Sequence, residues 1–194
     1  KRFCQDSSED AFRDLVLRHT DMVYAACCRG LGEDAALAED ATQAVFVILA
    51  KKRSKLWNRT SLAGWLFQTA NYVAANIKRQ EAKRRQREKD AAARRELEKS
   101  AVVPLQHELQ EEARSHLNEA VQKLRPKQRE VVLLYYFERR SQKDIALQLG
   151  CSEDTIKKRI AYALQKLRKH YARRDTLLSG GAILAVLEGE ALYG

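Results

Sequence analysis

The sequence predicts an all-α protein of two small helical domains, an N-terminal helical bundle and a C-terminal helix-turn-helix domain, joined by a charged linker. Three observations carry that prediction. Ala, Leu, Glu, Lys, Arg and Gln dominate, which are strong helix formers, and only two prolines and eight glycines interrupt the 194 residues. No stretch sustains period-two alternation between turn residues, so no sheet is expected. Apolar residues recur instead at spacings of three and four, and the length allows one large core or two small ones.

The first helix, about Glu9 to Arg29, sets Phe12, Leu15, Val16, His19, Val23 and Ala26 on one stripe, and Gly30 and Gly32 close it. The second, about Asp34 to Lys52, puts Ala38, Ala41, Val45, Phe46 and Leu49 on one face. A polar, basic loop from Lys51 to Thr60 follows and holds Trp57. Ser61 is suited to cap a third helix, whose stripe is Leu62, Trp65, Leu66, Thr69, Val73 and Ile77. Beyond that stripe the helix loses its apolar face and becomes Lys78-Arg79-Gln80-Glu81-Ala82-Lys83-Arg84-Arg85. Residues 86–103 are charged and alanine-rich; they read as a solvated helix extension or a linker, ending near Pro104. The domains are therefore set at 8–86 and 105–174, with a linker at 87–104 and an apolar tail at 175–194.

The second domain opens with a helix from near Leu105 to about Leu124, burying Leu117, Ala120, Val121 and Leu124. Pro126 sits where a first-turn proline belongs. Val131 to Phe137 is apolar all round and is expected at the centre of this domain. Ser141 caps the next helix, and Asp144 three residues on makes a variant capping box. Ile145 and Leu149 face the core, and Gly150 ends the helix in the left-handed conformation that glycine adopts at no steric cost. Ser152 caps a last helix with Ile156, Ile160, Ala163, Leu164 and Leu167 inside. A small residue, a glycine four later and an aliphatic six beyond (Ala146, Gly150, Ile156) suit two helices crossing through a tight turn. In that geometry the second helix lies in the major groove of DNA, its N-terminal residues toward the bases.

Charge agrees with that partner. The net charge is +10 and the isoelectric point about 9.6, which favours a polyanion, nucleic acid or an anionic membrane. Residues 6–40 hold nine acids and three bases, 78–99 ten bases and five acids, and 139–174 eleven bases and three acids. Two basic footprints suggest two contacts with one polyanion. Cys4, Cys27, Cys28 and Cys151 form no C-x-x-C pair and have no His at ligand spacing, so reduced thiols in a cytoplasmic protein are expected, with no metal or cofactor. His19, His107, His116 and His170 are scattered without a nucleophile, and no paired carboxylates suggest a metal, so an enzyme is not expected. No signal peptide is visible, and the apolar run Ala182 to Leu187 is too short to span a bilayer. The chain begins at Lys1, consistent with a trimmed N-terminus.

Several of these runs carry a family resemblance. Leu124-Arg125-Pro126-Lys127-Gln128-Arg129-Glu130-Val131-Val132-Leu133-Leu134, then Ile145-Ala146, Leu149-Gly150, Thr155-Ile156-Lys157 and Ala163-Leu164-Gln165-Lys166-Leu167-Arg168, resemble region four of bacterial sigma factors. Ala38-Glu39-Asp40-Ala41-Thr42-Gln43-Ala44-Val45-Phe46, Trp65-Leu66-Phe67 with Ala70, and the Arg-rich helix end resemble region two. Two such regions over roughly 10–172, with a short linker and no region three, resemble the extracytoplasmic-function type. Asp144 stands where that family usually has Glu, and Asn71-Tyr72 replace its common Arg-Asn pair.

The resemblance implies three tasks. Glu39, Asp40, Gln43 and Phe46 would dock on core RNA polymerase, at the clamp helices of its largest subunit; the flap is a further expected contact. Lys55, Trp57 and Asn58 in the loop, with Asn71, Asn76, Lys78, Arg79, Lys83 and Arg84, would read and open the minus-ten element. That task calls for an aromatic platform beside cations. Arg139, Arg140, Lys143, Ser152, Thr155, Lys157, Lys158 and Arg159 would hold the minus-thirty-five duplex, mainly by phosphates. Neutralising about six phosphates gives a log-log salt slope near −5. Promoter DNA and core polymerase are thus the implied partners, and an anti-sigma factor is a candidate third. The competing reading is a two-domain helix-turn-helix regulator that does not bind polymerase. The tail at 175–194 reads either as an amphipathic helix docked on the domains or as a fragment of something longer.

Overall fold

A computed structural model describes residues 9–32, 34–52, 56, 62–92 (side chains to 84), 114, 116–172 and 187. Their secondary structure is helical, with no strand among the described residues. α1 (Glu9–Leu31), α2 (Ala35–Lys52) and α3 (Leu62–Ala92) form the first layer. A short helix over 116–122, α4, precedes α5 (Pro126–Val132), a π-helical turn (Leu133–Phe137), α6 (Gln142–Leu149) and α7 (Glu153–Ala172).

α1, α2 and α3 pack mutually around Met22, Val23, Ala26, Cys27, Ala38, Ala41, Val45, Leu49, Leu66, Phe67 and Ala70, all essentially buried. Asp34 Oδ1 accepts from the Leu37 amide and caps α2. Small residues set the closest approach: a Cβ on Gly30 would lie 2.8 Å from the Ala74 Cβ. α3 is 31 residues long and continues as helix past the apolar stripe to Ala92, so the segment beyond residue 86 begins as an extension of the helix.

In the second group Leu117, Ala120, Val121, Leu124 and Val131 to Leu134 are buried, as the pattern requires. Leu133–Phe137 winds as a π-helical turn, with the Glu138 amide donating to Leu133 and the Arg140 amide to Leu134. Arg129 holds the junction before it. Its guanidinium donates to the carbonyls of Val121 (3.3 Å), Gln122 (2.6 Å) and Leu124 (3.0 Å) at the end of α4, where the Val121 carbonyl also accepts from the Leu124 amide at 3.2 Å. Burial pushes this guanidinium below its ordinary pKa, yet an arginine stays charged.

The two groups touch through α1 and α3 on one side and the segment 118–138 on the other. Of the tail only Leu187 is described, and it is fully buried in the core cluster.

Candidate nucleic-acid interface

The helix-turn-helix has the anatomy its sequence implies. Ser141 Oγ accepts from the Asp144 amide at 3.1 Å and donates to Asp144 Oδ2 at 2.6 Å. Gly150 ends α6 at φ 62°, ψ 41°, and the Cys151 amide returns to the Ala146 carbonyl at 3.0 Å. Ser152 Oγ accepts from the Thr155 amide at 3.2 Å and starts α7. Ile145, Ile156, Ala163 and Leu167 are fully buried; Leu149 is only half-buried.

Around this turn the candidate DNA-facing residues divide. Arg139, Lys143, Ser152, Lys157 and Lys158 are exposed, while Arg140, Thr155 and Arg159 are half-buried. Arg139 holds φ at 50°, the one non-glycine residue at positive φ among those described. Arg140 donates to the Gln148 side chain, and Arg159 leans 3.9 Å from the Cys151 sulfur. Lys158 pairs with Asp154 at 2.8 Å. That hydrogen bond holds the Asp154 carboxyl below its ordinary value and raises the Lys158 ammonium. Ser152 and Thr155 share a 2.9 Å hydroxyl contact, so both serve the cap as well as the exposed surface. Sequence reasoning passed over Tyr162, 61 % exposed and one turn beyond Lys158 on the same face.

On α3, Lys78, Arg79, Lys83 and Arg84 are exposed and form a cationic surface. Asn71 and Asn76 are half-buried, and the Asn71 amide donates to the Phe67 carbonyl at 2.7 Å within its own helix. Lys55, Trp57 and Asn58 lie outside the described residues. Tyr72, 63 % exposed, supplies an aromatic surface on this helix that the sequence reading had not assigned to DNA.

On α2, Glu39, Asp40 and Gln43 are exposed. Phe46 is not: it is 8 % exposed and belongs to the core, which corrects its expected place in an open docking face. Thr42, Phe46 and Leu49, at spacings of four and three, share the buried side. The exposed apolar side chain beside Gln43 is Val47, 51 % exposed. No described helix is long and apolar enough to cross a membrane.

The family "Sigma-70, region 4" matches residues 115–167, which span α4 to most of α7. The RNA polymerase sigma factor CarQ of Myxococcus xanthus is 33 % identical over 165 residues, 85 % of this chain and 91 % of CarQ. Among solved structures, the sigma factor RpoE in complex with the anti-sigma factor NepR from Bartonella quintana aligns at 23 % identity and a TM-score of 0.34, covering 82 % of this chain and 95 % of that one. CnrH in complex with the cytosolic domain of CnrY aligns at 20 % identity and a TM-score of 0.38, over 88 % and 93 %.

Proposed function

This chain belongs to the RNA polymerase sigma factor family, and we propose, from where its side chains lie, that it is of the extracytoplasmic-function type and works through three faces. As a sigma factor it binds core RNA polymerase and directs transcription initiation at promoter DNA. It acts where polymerase acts, in the cytoplasm, and as a regulatory protein rather than an enzyme.

The first face is α2. Glu39, Asp40 and Gln43 offer carboxylates and an amide to the basic side of a polymerase coiled coil, Val47 adds the apolar contact, and Phe46 seats the helix from below. The second is the cationic run of α3 with Tyr72, joined by Lys55, Trp57 and Asn58, which precede it in sequence, directed to the minus-ten strand. Base stacking on an aromatic contributes roughly 1–3 kcal/mol, enough to hold a base already out of the duplex. The protein therefore opens DNA only with polymerase contributing binding energy. The third is α7 with Arg139, Arg140 and Lys143, directed to the minus-thirty-five duplex. Its phosphate contacts position the protein, and few side chains reach base edges. An anti-sigma factor is the candidate restraining partner.

The observation that carries this reading is the capped helix-turn-helix, with its cations around the N-terminal end of α7. The rival, a regulator without polymerase contact, is not favoured by family membership. Capture of core polymerase by the full chain tests the first face. Asp40→Arg with Gln43→Arg, both exposed, should weaken capture at least ten-fold while duplex binding stays within two-fold. Capture unaffected by the double change would remove α2 as the docking face.

A further inference from the structure

α1, α3 and α4 converge on a cleft of about 670 Å³, inside the range of about 300–1,000 Å³ common for small-molecule sites. Gly30 marks the meeting point: a Cβ there would sit 2.8 Å from the Ala74 Cβ and 4.0 Å from Asn118 Nδ2. Gly30, Ala74 and Ala75 add little bulk to the lining, which leaves the room. Arg29 and Asn118 also line the cleft and are 8 % and 6 % exposed. Arg29 Nε donates to Asn118 Oδ1 at 2.8 Å, and Asn118 Nδ2 donates to the Ala26 carbonyl at 2.8 Å. Those bonds fix the buried amide in one orientation.

The walls carry three kinds of chemistry. Tyr72 of α3, 63 % exposed, offers a ring on which a base can stack. Gln68 and Asn71 of α3 and Gln122 of α4 offer amides, which both donate and accept. The side chains of Gln68 and Gln122 make no hydrogen bond among the described residues, and Asn71 spends one amide hydrogen on the Phe67 carbonyl. Lys78 is exposed and lies seven residues beyond Asn71, about 10 Å along the helix. Across from α3, Glu119 of α4 accepts from Lys123 at 2.6 Å. A carboxylate has about four acceptor sites, so Glu119 can take further donors.

A ring, amides and a cation two turns away match a nucleotide, with its base at one end and phosphate at the other. The amides suit either purine, and Glu119 separates the two. Guanine presents adjacent donors, N1–H and N2–H2, which one carboxylate accepts together. Adenine presents a lone pair at N1, which a carboxylate repels. We propose that this cleft is a site for a free guanine nucleotide, the base on Tyr72 and against Glu119, the phosphates toward Lys78 and Arg29. The site stands on the cleft alone. Tyr72 and Lys78 also belong to the face proposed for the minus-ten strand, so on that reading the nucleotide and single-stranded DNA compete for α3.

Calorimetric titration of the full chain with GDP tests the site, with ADP and guanosine alongside. GDP should bind at least ten-fold tighter than ADP and at least five-fold tighter than guanosine. Glu119→Gln should bring GDP and ADP within two-fold of each other. Lys123→Ala breaks the same ion pair but keeps the carboxylate, and it should preserve the preference. Tyr72→Ala should weaken both nucleotides alike, and Tyr72→Phe neither. No saturable GDP binding, equal binding of GDP and ADP, or a preference that survives Glu119→Gln would overturn the site. Oligothymidine with one central guanine should bind within two-fold of plain oligothymidine. Tighter binding that Glu119→Gln abolishes would overturn the free nucleotide as the occupant. GDP should also displace labelled oligothymidine. A strand that stays bound to GDP-saturated protein would remove α3 as the strand face and leave the nucleotide site standing.

Discussion

Replacing Arg129 with methionine keeps most of the side-chain volume and removes its donors. In the native chain the guanidinium serves three carbonyls, Val121, Gln122 and Leu124, at 3.3, 2.6 and 3.0 Å, from a residue only 9 % exposed. Val121 keeps the Leu124 amide at 3.2 Å, while the carbonyls of Gln122 and Leu124 lose this donor, at about 1–3 kcal/mol each. Release of a desolvated charge and some relaxation offset part of this sum. The expected net loss is about 3 kcal/mol. For a cooperative unit of this size, that lowers Tm by about 6–12 °C. Thermal unfolding by circular dichroism reads the shift. Arg129→Lys, with one cationic head in place of a fork, should lose roughly half as much. A methionine variant within about 2 °C of wild type would refute the claim that Arg129 ties α4 to α5.

Three further outcomes follow from other sites. Arg139→Gly relieves a left-handed residue at φ 50°, so it should gain about 1 kcal/mol in stability. The same change should flatten the salt slope of duplex binding by about 0.9 if Arg139 faces phosphate as proposed; a loss of stability would contradict the strain. Gly30→Ala sets a Cβ 2.8 Å from that of Ala74. Overpacking of about 1–3 kcal/mol against a helix-propensity gain of about 1 leaves a net loss near 1 kcal/mol, which adding Ala74→Gly should reduce. Burial pushes the Cys27 thiol up to about 11 from an ordinary 9.0. The folded chain then retains that proton where the unfolded chain releases it, so stability should fall, by an order of 2–3 kcal/mol, as pH rises from about 9 to 11. Cys27→Ala should flatten that fall, and an unchanged profile would speak against the shift.

Much of the fold was legible because its signals are local. Ser141, Asp144, Gly150 and Ser152 act within one turn of their own positions, and each does in the structure what its side chain allows. The apolar stripes placed Leu117, Ala120 and Ile156 correctly for the same reason. Phe46 misled because it flanks two faces. It lies three residues from Gln43, which is exposed, and also four from Thr42 and three from Leu49, which are buried. Spacing alone does not separate those faces, and bulk decided for the core. The π-helical turn left no mark in a segment that is apolar all round. Arg129 stood inside a family motif, but the carbonyls it serves lie five to eight residues back at a helix end. The pairs His19–Glu138 and Arg29–Asn118 are 119 and 89 residues apart, and no periodicity reports a contact of that kind.

The measurement that bears most directly on the central claim is run-off transcription with purified protein and core polymerase on a library of promoter fragments. The three-face reading predicts discrete transcripts that need both components, diminish with Asp40→Arg and Gln43→Arg in α2, and diminish with Lys157→Glu and Lys158→Glu in α7. Core polymerase initiating no better with the protein than without it, on every fragment, would contradict the account.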